Sequence, residues 1–484
     1  MSVLAPEVDE TAPGSRIEAV GLQDFRCAAF AALLTTFESC GLRHCLLSGH
    51  EEWPARIDSD IDFMVAPEDL ARVPDLLATA GGIVGARLVQ SIGHERGATW
   101  AVLARCERSG PRLLQFQADV CGDYRRGGRL WMRAAPVLAR RVRNRAGLWV
   151  AAPDDAWCYY LIKRIDKGVI AAAHAQRLQA RFMAHPAACA ARTQRLLGDD
   201  VGLIEAAVVT GSWDAVRARL PQLRWRMRRR AALREEAGTG PWRDALLHFF
   251  ARWTRLMHPT GFMVVVLGPD GCGKSTAAAA LAAALAPLFR RVVTRHLRWP
   301  VLPGSRSGTA GRAVVDPYAR APRSLPAALA KLLWFWLDYA LAGTLHLAPA
   351  RVRSTLVVFD RYYHDLLADP RRYRHPDHPL TMRVVRWLGS RVPQPDLVFV
   401  LDAPVAALQA RKREVTAAEC ARQRQAYLHL VRAWPHATRA RGAPELRVID
   451  ASASAAAVQA ALLEHTLDVL AARQHARAHR AAPD

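Results

Sequence analysis

The plainest chemistry in this 484-residue chain lies in Gly268-Pro269-Asp270-Gly271-Cys272-Gly273-Lys274-Ser275-Thr276. Gly268, Gly273, Lys274 and Ser275 fill the pattern G-x-x-x-x-G-K-S/T. Glycines at Gly268, Gly271 and Gly273 let the backbone wrap closely around phosphate oxygens, and a helix opening at this turn points unpaired N–H groups and its positive dipole at them. Lys274 can reach β- and γ-phosphates, and the Ser275 hydroxyl, followed by Thr276, can ligate Mg²⁺. The context agrees: the apolar run Phe262–Leu267 precedes the turn, and an alanine-rich stretch follows it. ATP and Mg²⁺ are therefore the expected cofactors.

A second constellation sits in Ile57-Asp58-Ser59-Asp60-Ile61-Asp62-Phe63-Met64-Val65. In a strand, residues two apart share a face, so Asp60 and Asp62 project together while Ile61 and Phe63 enter the core. Carboxylates that close repel unless a cation lies between them. Asp119, in the strand-like run Leu113–Val120, is the candidate third ligand. Three such acids suit two-metal nucleotidyl transfer, in which Mg²⁺ ions clamp the attacking and leaving oxygens.

A third set is spread through the C-terminal half. The apolar run Leu356–Phe359 ends in Asp360-Arg361, and Leu397–Leu401 ends in Asp402. Short apolar strands alternating with helical segments imply a parallel sheet covered on both faces, with ligands bound at the carboxyl ends of its strands. Asp360 could there hold Mg²⁺ through water, and Arg361 could clamp a phosphoryl group. Arg411 and Arg413 open an arginine-rich helix–loop–helix that reads as a lid over the phosphates.

The elements around these residues suggest five segments: a disordered tail (1–18), an α+β domain (19–150), a helical linking module (151–258), an α/β P-loop domain (259–475) and a short tail (476–484). The net charge is +23, with only five lysines. So arginine-heavy a composition reads as a compositional bias and weakens any inference to nucleic acid; none is expected as a partner. The nine cysteines show no C-x-x-C spacing, which favours reduced thiols and a cytoplasmic location. The N-terminal residues contain acids and no apolar core of a signal peptide. Leu332–Ala350 is as long as a membrane span, but the central Asp338 favours a buried helix; no span is expected, and contact with a membrane surface is left open, as is oligomeric state. Lys163, Arg164 and the run Arg224–Arg230 read as solvated charge. Gly238–Pro241 reads as a break, and Trp242, Phe249, Phe250 and Trp253 as part of a short helix.

Gly49, Ser59–Asp62 and Asp119 resemble the nucleotidyltransferase superfamily over roughly residues 20 to 150. The order Ser48-Gly49-His50 departs from the Gly-Ser common in that family. The P-loop, Asp360-Arg361-Tyr362, Pro395-Asp396-Leu397, Asp402 and Arg411 together resemble thymidylate kinase and other nucleoside-monophosphate kinases over about residues 260 to 470. That likeness implies a P-loop NTPase sheet with helices on both faces, with Asp270 facing the acceptor's sugar hydroxyl and Arg361 its phosphate. Arg411 and Arg413 would steady the transferring group, and Asp450 would lie near adenine. The segment after Asp360 lacks the paired serines of thymidylate kinases and offers His364, Asp365, Arg371, Arg372 and Tyr373 instead. The acceptor is thus a nucleoside monophosphate or another phosphorylated small molecule, such as a sugar phosphate. The fusion as a whole resembles bacterial proteins found among polysaccharide-assembly functions. An alternative reading is a nucleotide-binding regulatory component of such a system, with a degenerate N-terminal domain.

Overall fold

The computed structural model describes residues 13–95, 97–107, 110–235, 259–302, 321–376, 378–411, 416–437 and 444–481. The break and short helix expected within 236–258, and Arg413, lie outside them. The chain divides into two compact units.

The N-terminal unit comprises Met1–Arg105, Leu114–Thr254 and Gln474–Asp484. Its elements begin with α1 (Pro13–Ser39), β1 (His44–Ser48), β2 (Ile61–Val65), α2 (Val73–Ile83), β3 (Arg87–Glu95), β4 (Ala98–Cys106) and β5 (Leu113–Cys121). A hairpin follows, β6 (Tyr124–Arg126) and β7 (Arg129–Met132), then α3 (Ala134–Ala139), β8 (Val142–Arg143) and β9 (Trp149–Val150). Helix α1 thus starts at Pro13, inside the expected tail. The sheet order is β3-β4-β5-β2-β1-β9-β8. Its centre explains the acids: β2 and β5 run parallel with Asp62 opposite Asp119. On the other side of β2, β1 runs antiparallel, with Ser48 opposite Asp62. Gly49 ends β1 at φ +93°, where a Cβ would run into the Asp60 carbonyl oxygen. Only glycine permits that approach.

Five helices follow: α4 (Pro153–Lys167), α5 (Ala172–Ala184), α6 (Pro186–Leu197), α7 (Val201–Thr210) and α8 (Asp214–Glu235). They share a core with the sheet, in which Cys45, Leu47, Met64 and Cys121 pack with Trp157, Leu161, Leu178 and Val216. The Arg224–Arg230 run is solvent-facing as expected, with Arg226 and Arg229 exposed, and several of its arginines are also paired. Arg224 and Arg228 reach Asp166 at 3.4 and 2.7 Å, and Arg226 reaches Asp200 at 2.6 Å. Folding the helices together brings these acids to α8, which no local pattern announces.

The second unit, Cys106–Leu113 and Arg255–Arg473, holds the P-loop. Its elements are β10 (Phe262–Leu267), α9 (Lys274–Leu285), β11 (Arg291–His296), α10 (Leu325–Ala342), α11 (Ala348–Val352), β12 (Thr355–Asp360), α12 (Asp365–Ala368), α13 (Pro379–Gly389), β13 (Leu397–Asp402), α14 (Val405–Arg411), α15 (Ala417–Ala437), β14 (Glu445–Asp450) and α16 (Ala455–Ala481). The last of these enters the expected C-terminal tail as far as Ala481, and its residues from Gln474 on are counted with the N-terminal unit. The strands form one sheet, β11-β12-β10-β13-β14, parallel at every pair. Every residue of β10 is buried, as a central strand covered on both faces requires. Burying each of its valines and Leu267 contributes about 1.5–3 kcal/mol.

Leu325–Val352 and Ala455–Arg477 are long and apolar enough to cross a membrane by length and composition. Within the first, Asp338 is fully buried. Its carboxylate accepts from the Val301 and Leu302 N–H groups at 2.7 and 3.0 Å and lies 3.4 Å from Arg298. The mid-helix charge is therefore met by partners in its own unit.

Candidate functional site

Parallel register gathers the strand ends. Val266 pairs with Asp360, His296 with Asp360, and Asp402 with Asp450. The P-loop leaves β10 at this edge. Gly268 has φ +144°, and a Cβ there would meet the Leu401 carbonyl oxygen at 2.5 Å. Inside the loop Lys274 is buried and donates to the Gly268 and Pro269 carbonyls at 2.9 and 2.7 Å. Ser275 and Thr276 lie exposed in the first turn of α9, beside Gly273 in the left-handed region.

Ser275 Oγ donates to Asp360 Oδ2 at 2.5 Å. The other oxygen, Asp360 Oδ1, is buried without a hydrogen-bond partner among the described residues. Burial would raise the Asp360 pKa, but hydrogen bonds from His296 and Ser275, with the Lys274 charge nearby, hold it below the ordinary carboxylate value. An ionised carboxylate with one orphaned oxygen beside a serine hydroxyl fits Mg²⁺, a hard cation that takes oxygen ligands.

Asp270, in the loop, faces two arginines. Arg361 Nη2 and Arg372 Nη1 each donate to it at 2.5 Å. Its N–H donates to Gln423 Oε1 on α15 at 3.1 Å. Burial alone would push the Asp270 pKa up; Arg361, Lys274 and Arg372 override it and hold the carboxyl well below its usual range. Arg361 has φ +69°, a costly conformation for a non-glycine residue that clusters at functional sites. It is fixed by its own N–H on Val266 O at 3.0 Å and by Tyr362 and Tyr363, whose hydroxyls donate to Pro393 O and Val385 O at 2.8 and 3.0 Å. Behind it, Asp365 is fully buried. Asp365 lies 3.4 Å from Arg361 Nη1 and accepts from the hydroxyls of Tyr373, at 2.6 Å, and Tyr427. The sequence offers Asp365, Arg372 and Tyr373 of this shell as acceptor-side chemistry without partners, and places Gln423 and Tyr427 in the arginine-rich helix–loop–helix read as a lid. The signal for the first three is the departure of the segment after Asp360 from the thymidylate kinase pattern.

The structure brings together Asp270, Lys274, Ser275, Asp360 and Arg361. Arg411 Nη1 donates to the Ala451 carbonyl, just past the end of β14, at 2.6 Å. Asp450 is exposed and accepts from the Ser452 N–H and Oγ at 2.8 and 2.5 Å. These two form a local cap at the end of β14.

Among curated proteins, one from Chromohalobacter salexigens named thymidylate kinase is 31% identical over 216 residues, covering 44% of this chain and 97% of that protein. This chain belongs to the thymidylate kinase family. The family relationship spans less than half of its length. A solved thymidylate kinase from Ehrlichia chaffeensis aligns over 100% of its own chain and 44% of this one, at 17% identity and a TM-score of 0.29; a likeness that low carries no argument. No protein-family model matches.

In the N-terminal unit, Asp60, Asp62 and Asp119 present ligand atoms within 4.8 Å of one another. Burial pushes the Asp62 carboxyl up to about 7 and Asp119 up to about 6, with Lys163 opposing both shifts. Lys163 and Arg164 are buried, which corrects the expectation that they are solvated. Lys163 Nζ donates to both oxygens of Asp62, at 2.7 and 2.6 Å. The Arg164 guanidinium lies over the Tyr160 ring at 5.0 Å. Helix α4 turns Lys163 toward the acid-bearing face of the sheet, while Arg164 is held by His174 at 2.8 Å.

Two buried histidines of the thymidylate kinase-family unit give a pH prediction. Burial lowers His364 and His375 to about 4. Between pH 4 and 6.5 the unfolded chain binds protons that the folded one refuses. Stability is therefore complete above pH 6.5 and falls as pH drops toward 4, by on the order of 3 kcal/mol per histidine. Urea unfolding of this unit at pH 7.5 and 4.5 should show the loss, and His364→Gln should reduce it.

Proposed function

We propose that the P-loop unit transfers the γ-phosphoryl group of ATP to a nucleoside monophosphate or another phosphorylated small molecule. Membership of the thymidylate kinase family supports nucleotide kinase chemistry at the family level. The observation that carries the reading is the pair Arg361 and Arg372 on Asp270, beside Lys274. It sets two acceptor-side cations against the donor-side lysine, as in-line transfer needs. Ser275 and Asp360 would hold Mg²⁺, which when bound neutralises charge on phosphate oxygens. Asp360→Asn should then raise the Mg²⁺ concentration for half-maximal rate about tenfold, measured by titrating Mg²⁺ at fixed ATP.

The test is incubation with Mg²⁺ and ATP against thymidylate, other nucleoside monophosphates and hexose phosphates, read by mass spectrometry. Transfer to at least one acceptor is expected. ATP binding with transfer to none of them would sink the reading. The segment after Asp360 offers His364, Asp365, Arg371, Arg372 and Tyr373 in place of the paired serines of thymidylate kinases, so we do not restrict the acceptor to thymidylate.

Nucleotidyl transfer by the N-terminal unit would need Mg²⁺ on Asp60, Asp62 and Asp119. Their donor type and spacing suit the ion, but Asp62 gives both oxygens to Lys163, so the arrangement does not fit it. That observation favours a second reading, in which this unit is a degenerate binding domain and the chain a nucleotide-binding component of a polysaccharide-assembly system. In either reading we place the protein in the cytoplasm, where ATP is abundant and its nine free cysteines stay reduced. We propose no nucleic acid partner, since arginines of the Arg224–Arg230 run are paired with aspartates.

A further inference from the structure

We propose that Lys163 is the resident cation of the Asp60–Asp62–Asp119 cluster and that it competes with divalent ions for Asp62. Three carboxylates converge at the parallel pair β2 and β5: Asp62 lies opposite Asp119 in the register, and Asp60 immediately precedes β2. Such a group needs positive charge close by. Lys163 Nζ supplies it, at 2.7 and 2.6 Å from the two oxygens of Asp62 and 4.0 Å from Asp60. The side chains of Lys163 and Asp62 are 7% and 4% exposed, so the pair is shielded from water and from salt. Two further cations act on the cluster: Arg126, which is held by Asp166 at 2.8 Å, and Lys167, whose charge reaches Asp119 and Asp60.

The neighbourhood is built to hold this ammonium. It lies 5.6 Å from the Tyr159 ring centroid, and Tyr159 packs on Tyr124 with ring centroids 4.6 Å apart. The Tyr124 hydroxyl is buried without a hydrogen-bond partner among the described residues, and it feels the charges of Asp62 and Asp119. A magnesium or manganese ion would need carboxylate oxygens at about 2.0–2.2 Å, from which Lys163 must first be displaced. The cost of that displacement is the loss of a buried, hydrogen-bonded ion pair. The cluster is thus a carboxylate site that its own chain keeps occupied.

The test is Mn²⁺ binding to the full chain without nucleotide, read by the electron paramagnetic resonance of free Mn²⁺. Lys163→Met and Lys163→Gln should each gain one site at least tenfold tighter than any the wild type has. Adding Asp62→Asn to either variant should abolish that site, which separates it from any at Ser275 and Asp360. Thermal unfolding supplies a second readout: Mn²⁺ should raise the melting temperature of the Lys163 variants by more than it raises that of the wild type, and Asp62→Asn should remove the excess. If a variant folds only in Mn²⁺, that rescue is the same result in stronger form. Equal affinity in wild type and variants, tight wild-type binding lost in the variants, or variants that neither bind nor are rescued by Mn²⁺ would each overturn the proposal.

Discussion

Lys274→Met should lower phosphoryl transfer by about a thousandfold. Removing one preorganised donor from a transition-state site costs about 10²–10³ in rate, and Lys274 is a full charge. Without phosphate, its ammonium is parked on the Gly268 and Pro269 carbonyls, within reach of the loop that would hold the donor phosphates. The substitution also leaves those two carbonyls without their donor, so part of the loss could come from a loosened loop. Lys274→Arg separates the two effects, since it keeps charge and donors while misplacing them. Steady-state rates and nucleotide affinity should be measured for both variants. An unchanged rate in Lys274→Met would remove Lys274 from the reaction.

Arg361→Met should act on stability and on acceptor use together. Arg361 is buried between Asp270 and Asp365. Deleting one partner of a buried ion pair leaves the other charge uncompensated, at a cost of about 3–5 kcal/mol. Urea unfolding should show that loss. The KM for the acceptor should rise about a hundredfold, the scale of a lost charge-assisted contact. Adding Asp365→Asn to Arg361→Met should recover much of the stability, because the stranded carboxylate is gone, and should recover none of the acceptor affinity. A variant of normal stability and normal KM would refute both roles.

Some of this was legible in the sequence and some was not, for reasons of distance along the chain. The P-loop is local: strand, turn and helix are contiguous, so its residue types declare it. Asp60, Asp62 and Asp119 were legible because period-two alternation fixes the face of a strand. Asp360 and Arg361 followed from the rule that ligands meet the carboxyl ends of parallel strands. The register that sets Asp360 beside Ser275, 85 residues away, is a tertiary fact. Lys163 shows the limit most clearly. It lies 101 residues from Asp62, on a helix whose inward face cannot be told from its outward face until the sheet beneath it is known. Arg411 donates to the Ala451 carbonyl, a contact that the arginine-rich stretch does not announce because Ala451 lies 40 residues further along the chain.

The carboxylate of Asp270 between two arginines changes what it means for an acceptor to bind. In the phosphoryl transfer proposed above, an incoming acceptor phosphate would not meet bare cations; it would trade places with the Asp270 carboxylate already seated between Arg361 and Arg372. The resting arrangement is self-satisfied, so a singly charged anion gains little by entering, whereas a phosphate dianion brings a second charge that the carboxylate lacks. Discrimination by valence is then a property of the empty protein, set before any part of the acceptor beyond its phosphate is felt.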